Sequence, residues 1–225
     1  MFLACSPSGA FQANCYVLAT GSGEACVVVD PGQDSREWIT ATCREQGLTP
    51  AAVIATHGHL DHVAEAAAVC ADWDVACWIH PADRVLLSEP MQALPAEWRP
   101  LLLEMIGSDT LSEPRRVETY GDDLQGDDLE LAGIEFSVTH APGHSPGSVV
   151  LQWLGDGHTP YAFSGDVIFA GSIGRTDLPG SDPSAMADTL ERLVATIPAE
   201  TVLLPGHGPR TIMGAELTSN PYLPR

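Results

Sequence analysis

The chain has 225 residues, 44% of them hydrophobic, which suits one well-packed α/β or layered β unit and excludes a disordered chain. Its formal charge is −20, from 30 acidic residues against ten basic ones that are all arginine, so no nucleic-acid partner and no anionic-membrane partner is expected. No apolar run approaches the ~20 residues of a membrane helix, and the start "MFLACSPSGAF" lacks the basic lead of a signal sequence, so a cytoplasmic protein is expected.

In chain order, "NCYVLAT" (14–20) and "ACVVVD" (25–30) read as strands joined by the turn "GSGE". A helix over 34–47 follows, with Asp34 as its cap and Gly47 as its stop. "AAVIAT" is the next strand, 62–73 reads as a helix, and "VACWIH" (75–80) as a buried strand. The six cysteines (5, 15, 26, 43, 70 and 77) form no CxxC pair. Several sit in apolar runs, where a free thiol behaves as a small hydrophobe. Residues 90–113 change character: they are apolar, helix-prone and broken by Pro95 and Pro100, which suggests a lid, an insertion or packing on the core. Short strands return at 115–120, 128–133, 134–141, 148–154 and 161–169, before an amphipathic helix over 182–197 capped by Asp182 and a last strand entering "LPGHGP". No low-complexity linker divides the chain. Two successive β…α halves predict a four-layer αββα sandwich of the α/β class.

Chemistry concentrates where strands give way to turns. "THGHLDH" (56–62) supplies His57, His59, Asp61 and His62 within six positions. His144 stands in "APGHSPGS", Asp166 in "SGDVIF" and His207 in "LPGHGP", each just past a strand. Loops of this kind gather at one edge of a sandwich. Seven imidazole and carboxylate donors exceed the four of one tetrahedral ion and suit two ions sharing a carboxylate and a water. The set fits Zn²⁺ first, with Fe or Mn²⁺ also accommodated. His80, His140 and His158 lack this company and read as structural or solvent-facing.

Taken together, "THGHLDH", "APGHSPGS", "SGDVIF" and "LPGHGP" resemble the metallo-β-lactamase superfamily, over about residues 11–220. The resemblance implies the αββα fold. It also implies one metal held by His57, His59 and His144, a second held by Asp61, His62 and His207, and Asp166 bridging, with a metal-bridging hydroxide as nucleophile. "VVVDPG" resembles the family's early strand-end motif, which makes Asp30 a residue that steadies the ligand loop. His62 stands where one large group of true β-lactamases of this fold has Arg, and Asp166 where that group has Cys and another has Ser, which argues against antibiotic hydrolysis as the main activity. "GSIGRTDLPGSD" (171–182) and the tail 205–223 resemble glyoxalase II-like hydrolases, implying cleavage of an S-(2-hydroxyacyl) thioester, a small-molecule substrate. There Arg175 matches a basic residue that helps hold the thiol. Full-length enzymes of that kind carry a further helical domain after this point, so thiols other than glutathione fit equally. "GRTD" also resembles persulfide dioxygenases, in which His57, His144 and Asp166 would hold one iron and His62 and His207 would be dispensable. A non-catalytic binding module is the third reading, but it would have little reason to keep seven donors.

Overall fold

A computed structural model of the chain describes residues 1–120 and 127–224. The first half runs β1 (Phe2–Ser8), β2 (Ala13–Ala19), β3 (Ala25–Val29), α1 (Arg36–Gln46), β4 (Thr49–Ile54), the single turn α2 (Leu60–Val63), α3 (Ala66–Trp73), β5 (Ala76–Ile79), α4 (Arg99–Ile106) and β6 (Val117–Thr119). The second half runs β7 (Asp127–Leu131), β8 (Ile134–His140), β9 (Val149–Gly155), β10 (Thr159–Gly165), the hairpin β11 (Ile168–Phe169) and β12 (Ser172–Ile173), α5 (Pro183–Thr196), β13 (Val202–Pro205), β14 (Thr211–Ile212) and α6 (Met213–Ser219).

Six strands form one mixed sheet in the order β1-β2-β3-β4-β5-β6, and six more form a second in the order β14-β13-β10-β9-β8-β7. Side-chain alternation along β2, buried throughout, shows how the layers stack. Cys15, Val17 and Ala19 pack with Ile39 of α1 and Val69 of α3, while Tyr16 and Leu18 pack with Phe136, Leu151 and Phe163 of the other sheet. On the far side, Val150, Ala162 and Leu203 meet Met186, Leu190 and Leu193 of α5 and Met213 of α6. Three apolar layers between helix, sheet, sheet and helix are the expected αββα sandwich. Among the described residues no helix is long and apolar enough to cross a membrane. All six cysteines are free, and all but Cys5 are buried.

The topology places the chemistry. β3 and β4 are parallel, as are β10 and β13, and β8 lies antiparallel to β9, which lies antiparallel to β10. The carboxyl ends of β8, β10 and β13 therefore share one edge. Binding groups in sheets with parallel strands collect beyond such ends.

Local expectations needed three corrections. β1 was not anticipated, because Pro7 and its polar neighbours mask a strand that pairs only with β2. Ser35, not Asp34, caps α1: Asp34 takes a left-handed φ of 63°, and the Glu65 carboxylate accepts from Arg36 N at 2.5 Å. The helix expected over 62–73 is broken in two, because Glu65 leaves helical geometry (φ −108°) to reach that capping position. Asp182 does cap α5, its Oδ1 accepting from Ser184 N (2.8 Å) and Ala185 N (3.1 Å). Asp182→Ala should cost ~1 kcal/mol and lower the melting temperature by about 2–4 °C in a thermal unfolding scan.

Candidate metal centre

The first ligand loop is shaped by Asp30. This residue follows β3, is fully buried and takes a left-handed φ of 53°. Its Oδ1 accepts from Thr56 N and its Oδ2 from Thr56 Oγ1, both at 2.7 Å. Oδ2 also accepts from His62 Nδ1 at 2.9 Å. Because the Thr56 hydroxyl proton goes to Asp30, the same oxygen accepts from His57 Nδ1 at 3.2 Å. In the second sheet His144 Nδ1 donates to the Arg175 carbonyl at 2.8 Å. Three histidines thus spend their outer nitrogens on fixed partners, and each aims Nε2 inward, the orientation a metal ligand needs.

The inward atoms gather in overlapping groups. Ring or carboxylate atoms of His57, His59 and His144 lie within 4.8 Å of one another, as do those of Asp61, His62 and His207. Asp166 stands between the two trios. Its Oδ1 is 3.5 Å from His62 Nε2, and its Oδ2 is 3.4 Å from His144 Nε2 and 3.5 Å from His207 Nε2. His59 Nδ1 and His144 Nε2 face each other at 2.8 Å, and His207 Nε2 is 3.2 Å from Asp61 Oδ2. Asp30 adds a third combination with His57 and His62, but its oxygens are already taken by Thr56. All seven donors read from the sequence therefore meet at one place.

Whether a metal suits them can be tested on the atoms left over. His57 Nε2, His62 Nε2 and Asp166 Oδ1 are buried and make no hydrogen bond. Orphans of this kind are costly in a folded protein unless something binds them. Burial, then neighbouring imidazoles, holds His57 well below its ordinary pKa; burial and His144 bring His59 down to about 3. Both rings are neutral at pH 7, with lone pairs free. Burial opposes charge on His62, yet Asp166 and Asp61 overcome it and push the ring up to about 10. Asp61 is depressed below the carboxylate range: burial acts upward but His62 and the His207 hydrogen bond prevail. Neutral imidazoles on one side and carboxylates gathering positive charge on the other form a donor set that fits divalent cations.

The His207 loop is tied across the sandwich. Asn14 Nδ2 donates to the Pro205 and Gly208 carbonyls, both at 2.9 Å, and Tyr16 Oη donates to Pro205 O at 2.6 Å. Gly206 allows the close approach, since a Cβ there would strike Asp166 Oδ1 and crowd His62 Cε1.

A family model described as the metallo-beta-lactamase superfamily matches residues 8–207. The chain belongs to the metallo-β-lactamase superfamily. Hydroxyacylglutathione hydrolase GloC of Haemophilus influenzae is 31% identical over 218 residues, covering 96% of this chain and 95% of the relative. Among solved structures, the BLEG-1 B3 metallo-beta-lactamase superposes with a TM-score of 0.83 at 33% identity, covering 99% of each chain. TTHA1623 in a di-iron-bound form does so with a TM-score of 0.78 at 36% identity, covering 99% of this chain and all of the other.

In this superfamily fold a pocket of about 380 Å³ opens onto His59, Asp61, His144, Asp166 and His207. Leu94 and Trp98, from the stretch expected to be a lid or packing segment, line it and pack with Met91 against Leu60, the residue between His59 and Asp61. Arg175 reaches the pocket as well, but its guanidinium is held by both Asp177 oxygens (2.7 and 2.9 Å) and lies 5.1 Å from the Trp98 ring centre. Asp83 went unread. It is fully buried just beyond β5 and receives hydrogen bonds from Gly58 N, Ser145 Oγ and Gly147 N. The available signal was its setting: an acid in the first turn after β5, four residues past the strand end, where Asp30 and Asp166 follow theirs directly. His80 and His140 stack on each other at 4.0 Å, away from the seven donors.

Proposed function

We propose that this chain is a metal-dependent hydrolase that cleaves a thioester, of the S-(2-hydroxyacyl) kind. The observation that carries the reading is the pair of donor trios flanking Asp166 at the floor of a pocket. His57, His59 and His144 would hold one ion and Asp61, His62 and His207 the other, with Asp166 serving both. Two divalent ions, Zn²⁺ first, would supply a hydroxide near neutral pH and a Lewis acid for the carbonyl. Asp30 accepts from His62 Nδ1 and so would leave Nε2 to the ion. Tyr16 and Asn14 hold the His207 loop against β2. The pocket confines the acyl–sulfur linkage beside these groups. No separate acid is needed to expel the sulfur, because a thiol with a pKa near 8.5 leaves as thiolate.

GloC is a hydroxyacylglutathione hydrolase of nearly equal length, which supports the thioester reading. The deciding experiment follows thiol release from lactoyl thioesters by protein of verified metal content. Absence of release from every thioester, with hydrolysis of a chromogenic cephalosporin instead, would replace this reading with β-lactam cleavage.

His207 separates the hydrolase from a mononuclear oxygenase. It sits 3.2 Å from Asp61 Oδ2 and 3.5 Å from Asp166 Oδ2, where a dinuclear centre would need it. His207→Ala should therefore roughly halve the bound metal and suppress thiol release, as read by elemental analysis beside the assay. Undiminished metal, with oxygen uptake on adding a persulfide, would favour the oxygenase.

A further inference from the structure

On the thioesterase reading above, we infer that the substrate's thiol carries no net negative charge and that an apolar arm of the substrate seats against Phe11, Leu60, Leu94, Trp98, Phe169 and Ile173. These six side chains line the pocket of about 380 Å³, within the range of small-ligand sites. A peptide thiol such as glutathione brings two carboxylates, which require free cations. Arg175 is the one arginine among the described residues lining the pocket, and the chain contains no lysine. Its Nε and Nη2 are already committed to Asp177 at 2.7 and 2.9 Å. With Asp177 on its Nε–Nη2 edge the guanidinium's charge is already balanced, so a substrate carboxylate on the remaining N–H groups would gain little net attraction. The overall charge of −20 opposes its approach. The Arg175–Asp177 pair then acts as a brace behind Trp98, whose ring the guanidinium overlies at 5.1 Å.

Uncleavable thioethers test this without depending on turnover. S-benzyl-N-acetylcysteamine and S-benzylglutathione share one arm and differ in the charge of the thiol. Titrated calorimetrically into metal-loaded protein, the neutral compound should bind about tenfold tighter. Each methylene added across an S-ethyl, S-propyl and S-butyl series of the neutral compound should tighten binding about fourfold, and Trp98→Ala should shrink that increment. Asp177→Ala should strengthen the glutathione compound selectively, by freeing Arg175. Equal or tighter binding of S-benzylglutathione by the unaltered protein would overturn the proposal, as would binding independent of arm length. Retained neutral preference in a protein that releases thiol from no thioester would overturn the thioesterase reading alone.

A separate observation concerns Asp83: the geometry points to it as the residue that positions the loops bearing His57, His59 and His144. Its Oδ2 accepts from Gly58 N at 2.8 Å and Ser145 Oγ at 2.6 Å, and its Oδ1 from Gly147 N at 2.7 Å. Gly58 lies between His57 and His59, and Ser145 follows His144, so one buried carboxylate ties a ligand loop of each sheet. The approach is close enough that a Cβ on Gly147 would sit 2.6 Å from Asp83 Cγ. Asp83→Asn keeps the shape but turns one acceptor into a donor facing an N–H. Zinc affinity, measured by chelator competition, should fall about 10- to 100-fold, and the melting-temperature rise on adding zinc should shrink. Equal lowering of the metal-free and metal-loaded melting temperatures, with affinity unchanged, would mean a merely structural role and overturn the assignment. Should that variant fail to fold, Ser145→Ala removes one contact of the three. A smaller fall in zinc affinity is then expected, and an unchanged affinity overturns the proposal.

Discussion

His59→Ala should reduce thioester turnover on the order of 10³-fold while leaving a folded protein. The ring is buried at the start of α2, and its Nδ1 meets His144 Nε2 at 2.8 Å. Taking it away removes one arm of the first trio and leaves His57 and His144 too few to hold an ion in place. Metal assistance is worth several kcal/mol of transition-state stabilisation, and each 1.36 kcal/mol is tenfold in rate, so a loss of this size follows if the centre performs the reaction. Thiol release with a chromogenic disulfide, beside elemental analysis of the same samples, measures it. Turnover within a few-fold of the unaltered protein, with metal content preserved, would remove His59 from the centre.

Asp30→Ala should produce the largest loss of stability. One carboxylate there satisfies Thr56 N, Thr56 Oγ1 and His62 Nδ1, all in the interior. Its removal leaves three buried donors unpaired, a loss of about 3–5 kcal/mol. That is a large part of the 5–15 kcal/mol typical of a whole domain. The left-handed φ of 53° adds to the cost for alanine and less for asparagine, which tolerates that conformation. Asp30→Asn should therefore lie between the two in denaturant midpoint. Coincident unfolding curves for Asp30→Ala and the parent would refute the account of this residue.

The seven donors were legible because their signals are local: each stands within a few residues of a strand end, and glycine is directly adjacent to five of the seven, His57, His59, His144, Asp166 and His207. The near-continuous apolar run of "NCYVLAT" likewise carries the two-sided burial of β2, and the alternation within "IEFSVTHA" the one-sided burial of β8, each in a short window. What stayed hidden depends on partners far along the chain. Glu65 takes over the start of α1 from 29 positions away, and Asn14 and Tyr16 grip the Pro205 carbonyl from 191 and 189 positions away. Asp83 looks ordinary within "IHPAD" until folding brings Gly58 and Ser145 to it. Arg175 is the opposite case: its partner Asp177 is two residues on, and a reading of the charge alone passed over the neutralisation.

Each donor trio draws on both sheets. His57 and His59 need His144, while Asp61 and His62 need His207. A peptide-bond cut in the turn after α4, at Gly107–Ser108, would leave two fragments, neither holding a complete trio. Their reunion would restore both at once, so divalent ions would act as a glue between the pieces, and the split chain would work as a two-part reporter of metal supply.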